Sequence, residues 1–245
     1  MYVAIKRLSN NRALSVFLYL ALGFYFIGFN QVRQSIALSL TVLAYSYMKR
    51  SKISYVLLMA LAVSFHVSAV VVPVVHLATA RWKPTATRML LLTIVVGVVG
   101  YGLTSLTSFA SAFNDRYGEY LEAAEVAGVG TLILAGVRLV VVVWGFLANS
   151  RVELTRDAQR FILYVAVSVG LVLLGYVSIP VARLEMYFSA YMIFLIPAIV
   201  SRSQMRRALT WAVVAVGLIH MLIHVSTFNS VLPYQTIDGF VSGAL

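Results

Sequence analysis

Residues 53–78 read ISYVLLMALAVSFHVSAVVVPVVHLA. At 26 residues the run is long enough to cross ~30 Å of hydrocarbon once, as a tilted helix. His66 and Ser68 interrupt its centre, and Pro73 follows. Lys49, Arg50 and Lys52 precede it, and Arg81, Lys83 and Arg88 come after. Whether these two basic clusters share a face of the membrane depends on how the run is read.

The rest of the chain supplies the charges that decide. Of the 245 residues, 61% are hydrophobic and 11% charged, with a mean hydropathy of +0.92. A soluble domain needs more polar surface, so lipid is the expected solvent. Apolar periodicity and length predict helices over 13–29, 34–48, 89–106, 128–148, 161–178, 187–200 and 208–225. Between the last four lie a mixed basic loop at 149–160, a short loop with Pro180 and Arg183, and a basic loop at 201–207. A polar, acidic loop fills 107–127. The first apolar run is aromatic-rich and leads into Asn30-Gln31, so it reads as a span and not as a cleaved leader.

If 53–78 crosses once, the Lys and Arg residues outside the spans divide 8 against 10. If it turns back near His66, 15 of the 19 gather on one face, and only Arg33, Arg116 and Arg183 lie on the other. Arg138 falls inside a span in both cases. Cytoplasmic loops retain Lys and Arg, so the hairpin is the reading to adopt, with arms 53–65 and 67–78. Each arm reaches only ~20 Å, so it needs neighbouring protein or a water-filled cavity to satisfy its freed backbone. The expected fold is all-α: residues 1–245 as a single polytopic transmembrane helical bundle with a broken-helix hairpin. The N-terminus is expected in the cytoplasm and the C-terminus outside.

The net charge of +11 would suggest nucleic-acid binding in a soluble protein. Here the basic residues punctuate apolar runs, so anionic lipid is the expected partner and nucleic acid is not. There is no cysteine, which excludes disulfides and thiolate metal sites. His220 and His224 share a helix face but lack a third ligand, so no metal is expected. His76 reads as structural. No phosphate-cradling glycine loop or nucleophile elbow is present.

The hairpin topology puts three polar sets on the outer face. These are Asn30, Gln31, Arg33 and Gln34; then His66 and Ser68; then Arg183, Glu185 and Tyr187. The acidic loop lies above them. Each basic group has a plain structural reading: Arg33 as an interfacial anchor, His66 as a cap at a helix break, Arg183 as a headgroup ligand, Arg138 as a partner for a carboxylate. Against these stands their sign, because arginine is scarce on this face, and a guanidinium matches phosphate oxygens in bidentate fashion.

The segment FNQVRQSIALSL (29–40), then a basic turn, then LAVSFHVSAVVVPVVHL (61–77), resembles the EpsG/Wzy-type polysaccharide polymerase family. In that family an N-x-x-R-Q-x-[IL]-A pattern opens one helix and F-H-x-S-A closes the next. ARLEMYFSAYMIFLIP (182–197) is similar to the family's later R-L-x-x-Y-F stretch. Members usually carry further helices ahead of the Arg-Gln helix, with acidic and aromatic motifs near the outer face; this chain starts in the middle of that pattern.

The resemblance implies a multi-pass glycosyltransferase of the cytoplasmic membrane. It would polymerise polyprenyl-diphosphate-linked oligosaccharide repeat units into exopolysaccharide, capsule or O-antigen on the outer leaflet, without a cofactor and alongside other polysaccharide-assembly membrane proteins. Motif position makes Arg33, Gln34, His66 and Arg183 its site residues. Arg33 and Arg183, with Arg138 as a third, would stabilise the diphosphate leaving group. His66 would take the acceptor proton, with Glu119, Glu122 and Glu185 as alternatives. Asn30, Gln31, Gln34 and Ser68 are further substrate-binding candidates, and Tyr117, Tyr120 and Tyr187 offer surfaces for sugar rings. A flippase for lipid-linked saccharide and a membrane acyltransferase are the competing readings.

Overall fold

A computed structural model describes residues 1–92, 94, 95, 98, 129–174 and 179–225. All regular structure among these residues is helical. In chain order the helices are α1 (Tyr2–Leu8), α2 (Arg12–Ala21), α3 (Ile27–Asn30), α4 (Val32–Tyr45), α5 (Lys52–Phe65) and α6 (Val71–Ala78), followed by α7 (Val129–Arg151), α8 (Arg156–Leu174), α9 (Ile179–Ser189), α10 (Met192–Arg202) and α11 (Arg206–Ile223). Among the described residues, four helical stretches are long and apolar enough to cross a membrane: Leu132–Arg151, Arg156–Leu174, Leu184–Arg202 and Arg206–Ile223. The protein is thus an all-α, multi-pass membrane bundle.

The 53–78 run is broken where the sequence analysis puts the break. Ser51 caps α5, its hydroxyl accepting the Ser54 amide at 3.2 Å. At the other end His66 adopts an extended backbone (φ −152°, ψ 112°), which ends the helix. A 3-10 turn, Val67–Val70, leads into α6. Pro73 sits in the first turn of α6, where its missing N–H removes no helical hydrogen bond.

The two arms fold back on each other. The Tyr55 hydroxyl lies 3.4 Å from His76 Nδ1. Along one continuous helix those residues would be ~30 Å apart. Beyond the arms, Lys49 pairs with Asp157 at 2.7 Å, and the Arg160 guanidinium donates to the Ala80 carbonyl and lies 3.7 Å from Asp157. The chain therefore enters and leaves the hairpin at the same end of the bundle. Arg7, stacked 4.2 Å over the Tyr47 ring, joins that basic end.

His76 holds the returning arm. It is fully buried, with Tyr55 on one ring nitrogen and the Tyr191 hydroxyl 3.0 Å from the other. Whichever nitrogen carries the proton donates to one tyrosine, and the other accepts. Tyr45 and Tyr164 pack their rings 5.3 and 5.0 Å from it. Side chains from α4, α5, α6, α8 and the turn into α10 thus close one aromatic layer. Helix α8 and the α9–α10 stretch are mostly buried, whereas α11 buries little more than Gly217 and α7 only about a quarter of its span. The outer pair presents its apolar faces to lipid.

Two boundaries differ from expectation. The span expected over 13–29 is not continuous: α2 ends at Ala21, Gly23 takes a left-handed conformation (φ +84°), and the short α3 follows. The His224 ring occupies the place where a Cβ at Gly23 would stand, so only glycine fits there. The loop expected around Pro180 and Arg183 is instead helix α9, with Pro180 in its first turn. Most of the helix expected over 89–106, and all of the acidic loop with Glu119, Glu122, Tyr117 and Tyr120, lie outside the described residues.

The α10 helix contains Pro197, which cannot donate to the Ile193 carbonyl. The buried Ser15 hydroxyl of α2 takes that carbonyl at 2.6 Å. A backbone acceptor freed by proline is thereby satisfied from the neighbouring helix.

Candidate functional site

Antiparallel packing of α4 on α5 determines what meets at the end away from the basic segments. Both helices have 14 residues, and a short basic turn joins them. The start of α4, with Arg33 and Gln34, therefore stands beside the hairpin tip at His66. Gln34 is buried, His66 and Ser68 are half-buried, and Arg33 is exposed.

The tip is tied to α9. The Ser68 hydroxyl lies 3.3 Å from the Tyr187 hydroxyl, and Tyr187 is itself fully buried. Arg183 lies one turn earlier on the same helix, at the spacing that shares a helix face. Its side chain, like that of Asn30, is outside the described residues. The hairpin tip and α4 each touch α9. All three sets of sequence-predicted residues therefore belong to elements that meet at one end.

Glu185 is engaged by Arg138 from α7. Arg138 Nε donates to one carboxylate oxygen at 3.1 Å and Nη2 to the other at 2.8 Å. Nη1 donates to the Leu134 carbonyl at 2.9 Å. The Arg138 side chain is 9% exposed and that of Glu185 13%. A buried fork of this kind neutralises both charges and fixes α7 against α9. The sequence reading named both residues but not the pair. The clue available was a lone arginine deep in a span, which needs a carboxylate or water at its own depth.

Two buried polar atoms in this region have no partner among the described residues. Gln31 Oε1 and Ser35 Oγ are buried and unbonded, one turn apart at the start of α4. Such atoms need water or a ligand. Gln31 was singled out from the sequence. Ser35 was not, although its place four residues after Gln31 puts it on the same face. Among the described residues no cluster of three metal-ligating side chains occurs. What the end offers chemically is a half-buried imidazole, an exposed guanidinium, buried hydroxyls and amides, and a helix carrying a further arginine.

A scan against protein-family models matches the EpsG family model over residues 1–236. The chain belongs to the EpsG family. It is a multi-pass membrane protein of the polysaccharide-polymerase type. No curated protein and no solved structure matches it. Within this EpsG-family chain, the N-x-x-R-Q, F-H-x-S-A and R-L-x-x-Y-F segments fall on the start of α4, the hairpin tip and α9, the three elements that converge.

Proposed function

We propose that the protein joins polyprenyl-diphosphate-linked oligosaccharide repeat units on the outer leaflet of the cytoplasmic membrane, its basic end facing the cytoplasm. The observation that carries this reading is the Ser68–Tyr187 contact, which brings the hairpin tip of the second motif onto the helix of the third. In the proposed step the acceptor hydroxyl oxygen attacks the anomeric carbon of the lipid-linked chain. The bond from that carbon to the diphosphate oxygen breaks, and the diphosphate leaves with the electron pair. His66 takes the acceptor proton, suited to this because imidazole titrates near neutrality.

Arg33 and Arg183 offset the charge that develops on the leaving diphosphate, as guanidinium donors aimed at developing charge do. Gln31, Gln34, Ser35, Ser68 and Tyr187 line the end where sugar hydroxyls would bind, with Asn30 beside them in sequence. Arg138 acts through Glu185, holding α9 and hence Arg183 in position. Glu185, already engaged at both oxygens, is a weaker candidate for a base than His66. Glu119 remains a proposed contact from the acidic loop.

Single Arg33→Ala, His66→Ala and Arg183→Ala replacements in the native locus test the assignment. Each is expected to abolish or shorten the polymer on a gel while the protein still accumulates in the membrane. Long polymer from all three at normal expression would refute it.

A further inference from the structure

We infer that the basic end carries a binding site for the phosphate of an anionic phospholipid, separate from the polymer-forming end and independent of the polymerase reading. A cavity of about 690 Å³ opens between the α1–α2 turn, the end of α10 and the start of α11. That volume falls in the range of ligand clefts, about 300–1,000 Å³.

Its charge is of one sign. Arg12, Arg206 and Arg207 line it, and among the described residues no carboxylate does. None of the three makes an ion pair among the described residues. Elsewhere at this end Asp157 serves Lys49 and Arg160, so the protein neutralises some of its cations and leaves these three for another partner. The first turns of α2 and α11 both border the cavity and neither contains an acidic residue. Asn11 Oδ1 accepts the Leu14 amide at the start of α2, whereas α11 has no side-chain cap, so its first-turn amides add to the same positive field.

The surroundings favour a phosphate that arrives in the membrane plane. Trp211 forms the rim and is 72% exposed, as suits an aromatic anchor at the headgroup level. Below it the outer face of α11 is apolar, with Val216 and Ile219 exposed. A phosphate among the three arginines would let its acyl chains run down that face.

Native mass spectrometry of the full chain released from detergent reads this directly. Phosphatidylglycerol should be retained in preference to phosphatidylcholine, which has the same tails and phosphodiester but no net charge. Each of Arg12→Ala, Arg206→Ala and Arg207→Ala should cut the preference about fivefold, and the triple variant should remove it. A triple Ala variant of Arg81, Lys83 and Arg88, basic residues of the same end outside the cavity, should keep it. Ser201→Asp, which sets a carboxylate in the wall and leaves the arginines, should also weaken it, so the test stands if the triple arginine variant misfolds. Equal retention of the two lipids, an unchanged preference in the Ser201→Asp and arginine variants, or an equal loss in the control triple would overturn the site. Glycerophosphoglycerol, the headgroup without tails, separates the sources of phosphate. It should compete on the order of a hundredfold more weakly than the lipid. Equal competition would make this a soluble-anion site and overturn the lipid assignment.

Discussion

Ser15 illustrates what a single side chain carries in a lipid-bathed protein. Its hydroxyl is fully buried and serves the Ile193 carbonyl that Pro197 leaves free. Ser15→Ala should therefore cost about 1 kcal/mol, in the range of interhelical hydrogen bonds in membranes, measured as a lower unfolding midpoint in detergent. The Arg138–Glu185 fork carries more. Glu185→Gln leaves a buried guanidinium without its counter-charge and should destabilise by about 3–5 kcal/mol. Combining it with Arg138→Met should recover much of that loss, a non-additivity that two unrelated sites would not show. Ser35 is the opposite case. Its hydroxyl has no hydrogen-bond partner among the described residues, so Ser35→Ala should leave thermal unfolding unchanged. If the hydroxyl serves the substrate, the same variant should shorten the polymer.

Among the elements, the hairpin organises the rest. Its placement was legible in the sequence because the orientation rule integrates over every basic residue, so one topological choice moved the whole balance from 8 against 10 to 15 against 3. The contacts that hold it were not legible. His76 meets Tyr55 and Tyr191, partners 21 and 115 residues away, and no local pattern in the sequence joins them. The break after Ala21 was also missed, since Leu22, Phe24 and Tyr25 continue the apolar run and hydropathy does not register the positive φ of Gly23. Helix α9 was read as a loop for a related reason. Pro180 and the charges at 183 and 185 look like loop composition, yet proline is at home in a first helical turn and Glu185 is neutralised by Arg138. The hairpin makes a labelling prediction. The chain has no cysteine, so single cysteines report cleanly. A reagent confined to the outside should label Ser68→Cys and neither Ser51→Cys nor Thr85→Cys. Labelling of the last from outside would mean that the hairpin does not return.

At the scale of the molecule the two ends divide their chemistry. One end gathers the basic segments, with Asp157 joining Lys49 and Arg160, and beside it a cavity lined by three arginines that form no ion pair among the described residues. The other gathers His66, Gln34, Ser68, Tyr187 and the helix of Arg183, with Gln31 Oε1 and Ser35 Oγ nearby lacking partners among the described residues. Between them lies the closed layer of His76 and its tyrosines. The three motifs were visible as residue patterns; the first two meet through antiparallel packing of α4 and α5, and the third joins them through the Ser68–Tyr187 contact. The pairing of Arg138 with Glu185 and the orphaned hydroxyl of Ser35 depend on rotation about helix axes, which a single sequence does not encode in any short pattern.

The central claim is bond formation at the polar end. Reconstitution of the full chain in vesicles with polyprenyl-diphosphate-linked repeat units, followed by a chain-length assay, tests it most directly. The expected result is a ladder of longer lipid-linked chains that Arg183→Ala and His66→Ala remove. Repeat units that cross the bilayer without lengthening would contradict it and favour a flippase.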